Sequence, residues 1–166
     1  MVGRWFPVLV AVMAALALVG CRPEAPTASP PAAGPDGTSY ESPAGFTLVI
    51  PPSWEGHYAV QELSGTAAAA YAPTAQTATR FMYTPADPAM RPAPLLVIYT
   101  FDEADWATLS AEPGPPVGTL IASSGGTVFV ASTPQSNPYD PGTPDGQTFD
   151  QMYADLNLSE DFSITP

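Results

Sequence analysis

The 166-residue chain has no lysine, one histidine and one cysteine, and its four arginines stand against sixteen acidic residues for a formal net charge of −12. Each scarcity removes a class of function. Binding to nucleic acid or to anionic lipid head groups is driven by Lys and Arg neutralising negative charge, so the folded part of this chain is expected to bind neither. A single thiol cannot form an intramolecular disulfide, which leaves packing as the source of stability. His57, the only imidazole, needs partners of other residue types before it can act as a base or a ligand. Charge is also missing from every position between Trp5 and Gly20.

That uncharged stretch follows Arg4 and ends in Leu18-Val19-Gly20-Cys21. A basic residue, an apolar run too short to span a bilayer comfortably, and a small-residue cleavage point together have the layout of an export signal, and no stop-transfer pattern continues it. The four closing residues resemble the lipobox of bacterial lipoprotein signals: Leu, a small or β-branched residue, Gly or Ala, then Cys. The resemblance implies cleavage after Gly20, a diacylglyceryl thioether on Cys21, and a further acyl chain such as palmitate on the freed amine. Each buried methylene contributes about 0.8 kcal/mol and one chain alone holds only marginally, so two or three chains make a lasting anchor. The protein is then expected at the cell membrane or outer membrane, facing the periplasm or exterior. Arg22 after the cysteine resembles the pattern sorted outward in cells with two membranes. An ordinary signal peptide with an incidental cysteine is the alternative.

Residues 22–37 are rich in Pro, Ala and Gly and hold nothing large enough to anchor a core. Read as a tether after the lipidated cysteine (21–37), this segment would favour extended polyproline II at about 3.1 Å per residue and reach on the order of 50 Å. Residues 38–166 are long enough for one domain with a real core.

Within the domain, Phe46–Ile50 reads as a strand stopped by Pro51-Pro52, with Trp54 folding back on the core. His57–Leu63 alternates apolar and polar side chains as a second strand, with Tyr58, Val60 and Leu63 near its inner face. Arg80–Tyr83 and Leu95–Phe101 read as further strands, the latter central because it is nearly all apolar, and Pro85, Pro88, Pro92 and Pro94 interrupt regular structure between them. Asp102–Leu109 has the acidic opening of a short helix, with Asp102 as its cap. Val117–Ala122 and Thr127–Ala131 flank Ser-Ser-Gly-Gly as a hairpin. Phe149, Met152, Tyr153 and Leu156 share one face of an amphipathic helix, and Phe162 and Ile164 close the chain as an edge strand. Many strands with about two helices make an α+β fold, a mostly antiparallel sheet with helices packed on it.

Tyr40–Trp54 resembles the opening of PsbP-like domains, in which a short strand leads to Gly-Phe, an apolar strand, Pro and Trp. Trp54-Glu-Gly-His-Tyr58, the segment Leu95–Trp106 and Asn137-Pro-Tyr139 resemble pieces of a group of bacterial lipoproteins and secreted proteins of uncharacterised function. The resemblance implies a PsbP-like sandwich. It carries no activity, because a common fold does not bring function with it.

Few residues have the spacing of a catalytic or metal site. If His57 lies on a strand it shares a face with Glu55, whereas Glu62 points away. No Gly-x-Ser-x-Gly elbow exists, and Ser53 precedes a tryptophan. Asn137, Asp140 and Asp145, with Asp150, offer the oxygen ligands calcium takes, although their spacing fits no EF-hand and turns account for them equally. Asp102, Glu103 and Asp105 form the densest acidic cluster; paired carboxylates of this kind hydrolyse glycosides when two face one cleft, and a helix N-terminus explains them as well. Trp54, Tyr58, Tyr71, Tyr83, Tyr99 and Trp106 are candidates for core or for an aromatic groove. The sequence therefore assigns no catalytic residue and no cofactor. It leads to a non-enzymatic binding or accessory module held to a membrane through its lipid, with an envelope protein or glycan as partner and no nucleic acid. An envelope hydrolase using carboxylates and a calcium-stabilised binding domain are the alternatives.

Overall fold

A computed structural model describes residues 32–34 and 37–165. Gly20, Cys21 and most of the tether lie outside the described residues. The strands are β1 (Ala32–Gly34), β2 (Gly37–Ser42), β3 (Phe46–Val49), β4 (Tyr58–Ser64), β5 (Thr77–Tyr83), β6 (Ala93–Asp102), β7 (Thr119–Ser124), β8 (Thr127–Ser132) and β9 (Phe162–Ile164). The helices are α1 (Thr66–Ala69), α2 (Glu103–Ala111), α3 (Pro144–Ala154) and α4 (Leu158–Asp161), with a 3₁₀ turn at Pro52–Trp54. Strand β1 falls in the segment read from composition as tether and runs beside β2.

All pairings are antiparallel, in two sheets: one in the order β1-β2-β3-β9, in which the last strand of the chain returns to pair with β3, and a five-stranded sheet in the order β4-β5-β6-β8-β7. The fold is α+β, as the residue pattern predicts. Strand β6 is central in the larger sheet, and its unbroken apolar run follows from burial on both faces. Leu96 and Ile98 enter one core cluster with Tyr40, Phe46 and Leu48 of the smaller sheet and Phe149 and Met152 of α3. Val97, Tyr99 and Phe101 enter a second cluster on the opposite face. There Ala68, Ala72, Ala75 and Ala78 let α1 and its loop approach closely, and Trp106 and Leu109 of α2 pack against the same cluster. Each large side chain fully buried in this way contributes roughly 1.5–3 kcal/mol.

Several expectations shift. Leu63 packs with the second cluster, because odd-numbered residues of β4 face away from Val60. Pro94 belongs to β6: the register slips between Phe81 and Met82, leaving Leu95 unpaired, and a proline is tolerated at such a bulge. The predicted hairpin forms with Gly125 and Gly126 at φ +60° and +83°, the conformation a type I′ turn needs, and β7 begins at Thr119 rather than Val117. Asp102 occupies the cap position of α2 without a side-chain capping bond; instead the Glu103 amide donates to the Gly126 carbonyl at 3.0 Å, tying the helix start to the hairpin. Helix α3 ends at Ala154, and its buried side runs through Asp145, Gly146, Phe149 and Met152, so Tyr153 is exposed and Leu156 lies beyond the helix, half-buried.

Candidate functional site

Alternation along β4 puts Tyr58, Val60 and Glu62 on the face turned to the smaller sheet. Glu62 is thereby carried into the sheet interface at the edge of the larger sheet, opposite Thr79 of β5. Tyr40 and Ser42, two residues apart on β2, approach it from the other sheet. The Tyr40 hydroxyl donates to Glu62 Oε1, Ser42 Oγ donates to the same oxygen at 3.1 Å, and Thr79 Oγ1 donates to Oε2 at 2.8 Å. Ser42 Oγ and Thr79 Oγ1 are 3.2 Å apart. Burial, and then the neighbouring carboxylate, push the Tyr40 phenol well above its ordinary value. The nearest arginine along β5, Arg80, is turned to the opposite face, where its guanidinium donates to Gln61 and Tyr71 and lies 4.4 Å from the centre of the Tyr71 ring. A cavity of about 280 Å³ opens beside the carboxylate, lined by Pro43, Ala44, Glu62, Leu63, Ser64 and Thr77. Also in the interface, the Tyr58 hydroxyl is buried without a hydrogen-bond partner among the described residues, and burial pushes its phenol up to about 12.

The second polar centre is Asp145 in the first turn of α3, 6% exposed. Thr143 caps the helix by accepting from the Gly146 amide at 3.1 Å, and Pro144 starts it with a φ already suited to a helix. Asp145 Oδ1 accepts from the Tyr83 hydroxyl and the Ala86 amide, both at 2.7 Å, and Oδ2 accepts from the Asp87 amide at 3.2 Å. The Tyr83 hydrogen bond, then the two amides, and His57 nearby hold its carboxyl below the usual value. His57 stacks on the Tyr83 ring with centroids 6.4 Å apart.

The calcium candidates are engaged by protein donors. Asn137 Oδ1 accepts from the Tyr139 amide while its Nδ2 donates to the Gly146 carbonyl, and Asp140 Oδ1 accepts from the Gly142 amide. These are turn and helix-entry contacts, and the buried Asp145 carboxylate is occupied by Tyr83 and by the Ala86 and Asp87 amides. Asp150 is exposed. Gly146 is required here, because a Cβ on it would come within 2.1 Å of the Asp140 carbonyl oxygen.

Asp102 and Glu103 are exposed and Asp105 half-exposed at the start of α2. None of them lines the cavity of about 440 Å³ on the other side of that helix, formed by Trp106, Leu109, Pro73 and the 112–118 loop. Of the aromatic candidates, Trp54, Tyr83 and Tyr99 are core, Tyr58 and Trp106 are half-buried, and Tyr71 is 55% exposed. They do not form one groove.

The sequence pattern considers Glu62 only as a partner for His57 and turns it away from that role. What it misses is that the same parity, shared with Tyr58 and Val60, drives the carboxylate inward among three hydroxyls. A charge at an apolar position of a period-2 pattern is the available signal. Among the described residues no helix is long and apolar enough to cross a membrane. Comparison of the chain with protein-family models, with curated proteins and with solved structures yields no match.

Proposed function

We propose that the chain is a lipid-anchored cell-envelope protein whose α+β domain serves as a non-enzymatic binding or accessory module. The observation that carries this is Leu18-Val19-Gly20-Cys21 at the end of an uncharged stretch after Arg4. The thiol is committed to the lipid, and the Pro- and Ala-rich segment after it holds an acidic domain near a surface that its own charge disfavours. The PsbP-like resemblance is part of the same proposal and is supported by the Phe46–Val49 strand, the proline turn and the buried Trp54 that follow one another in that order. The hydrolase alternative draws little support, since Asp102, Glu103 and Asp105 sit on an open helix start rather than across a cleft. Mass spectrometry of the mature N-terminus tests the anchor. A diacylglyceryl-modified Cys21 as first residue is expected; an unmodified Cys21, or cleavage elsewhere, rejects the lipoprotein assignment.

A further inference from the structure

We propose that the cavity beside Glu62 binds a primary ammonium group carried on a flexible aliphatic stem, the chemistry of a lysine side chain. The inference names a ligand class for the binding module proposed above and rests on that reading for its biological setting, while the chemistry of the cavity stands on its own residues. Glu62 is held in the interface by Tyr40, Ser42 and Thr79, three hydroxyl groups with one proton each. With the carboxylate ionised all three protons point at it; Ser42 Oγ accepts from the Ala44 amide at 3.2 Å, and Thr79 Oγ1 receives no proton across its 3.2 Å contact with Ser42. The cluster is therefore richer in acceptors than in donors. Among the described residues no cation balances the carboxylate within the cluster, because Arg80 is committed to Gln61 and Tyr71 across the sheet.

A carboxylate oriented by hydroxyls at the wall of a cavity takes charge-assisted hydrogen bonds from an incoming N–H group. An ammonium supplies three donors and the missing positive charge. The rest of the cavity suits the stem behind the ammonium: Pro43 and Ala44 present apolar surface on which a run of methylenes can lie. The volume of about 280 Å³ accommodates such a stem. The net charge of −12 attracts cations from a distance and repels ligands whose amine is accompanied by phosphate. A glutamine at this position would keep a single acceptor oxygen for Tyr40 and Ser42 and turn N–H groups toward Thr79, so it would neither hold all three hydroxyl protons nor supply charge to a bound ammonium.

The test is titration of the full chain with n-butylammonium chloride, followed by amide chemical shifts of residues around the cavity, with n-butanol and phosphoethanolamine as contrasts. Saturable shifts at Leu63, Ser64 and Thr77 with butylammonium, and weaker ones with both contrasts, are expected. Glu62→Gln should weaken the response about tenfold or more, the loss of a hydrogen bond to a charged group. Should Glu62→Gln fail to fold, Ser64→Trp at the exposed lip fills the cavity without touching the hydroxyl cluster and should abolish the shifts. Absence of saturable shifts in the unsubstituted chain, an equal response in folded Glu62→Gln, an unchanged response in Ser64→Trp, or a stronger response to phosphoethanolamine each overturns the proposal. Failure here leaves the Cys21 measurement untouched, and an unlipidated Cys21 leaves this titration untouched, so the two readings fail separately.

Discussion

Trp54 shows how one side chain meets several requirements at once. The turn-forming Pro51-Pro52 throws it back over the sheet, where it is fully buried against Tyr58 and Phe81 with ring centroids 5.8 and 5.9 Å away. Its indole Nε1 donates at 2.8 Å to the Met152 carbonyl, one of the last carbonyls of α3, which have no partner inside the helix. Trp54→Ala is expected to cost about 3–5 kcal/mol through lost burial and the cavity left behind. Trp54→Phe keeps much of the apolar contact but strands that carbonyl, for about 1–3 kcal/mol. Urea denaturation checks both: a Phe variant as damaging as the Ala variant would put the hydrogen bond, rather than the ring volume, in control. The burial of Trp54 is legible in the sequence because a tryptophan after a proline stop has nowhere else to go in a domain this small. Its hydrogen bond is not, since a partner 98 residues away leaves no local pattern.

At the scale of elements, strands are legible wherever burial on one or both faces imposes a period, as in β3, β6 and the β7–β8 hairpin. Legibility fails where a polar group takes an apolar position. Helix α3 illustrates the failure: periodicity assigns its inward stripe to Phe149, Met152, Tyr153 and Leu156, whereas the helix is docked by an aspartate in its first turn. Asp145 reaches across to Tyr83 and to the Ala86 and Asp87 amides, so one carboxylate joins α3 to β5 and to the proline-rich loop that follows it. The same inversion places Glu62 in the sheet interface. Tyr83, Tyr139 and Phe149 pack edge to face around this joint, with centroids 5.2 to 5.6 Å apart. Because the folded Asp145 carboxyl titrates below its ordinary value of 3.8, its contribution is complete above the ordinary carboxylate range and is lost as pH falls through the lower folded value. Asp145→Asn is therefore expected to lower the melting temperature at neutral pH and to converge on the unsubstituted protein in acid, once the pH has fallen below the lowered titration of the folded carboxyl. A constant gap between the two melting curves from neutral to acid pH would show that the ionised carboxylate is not what docks the helix.

For the whole molecule the deciding quantity is charge imbalance: sixteen acidic residues against four arginines. Arg80 and Arg91 are the only arginines from residue 38 onward, and Arg80 is engaged with Tyr71 and Gln61 rather than with a carboxylate. The acidic side chains of the α2 start, the 137–145 loop and the C-terminal segment therefore repel one another across the surface with little local compensation. The two apolar clusters on either side of the larger sheet hold the fold together against that repulsion. Exposed charges are screened beyond a Debye length of about 10 Å at 0.1 M ionic strength and about 3 Å at 1 M, so added salt should relieve the repulsion faster than it weakens the few favourable pairs. Melting temperature at neutral pH is accordingly expected to rise as sodium chloride goes from about 10 mM to about 0.5 M. The change should be largest below the physiological range, where the unscreened repulsion is greatest. A melting temperature that falls over this interval would mean that specific ion pairs, rather than net charge, dominate the electrostatics of the domain. The same titration bears on binding: salt that stabilises the fold should weaken butylammonium binding at Glu62, because one screening length governs both effects.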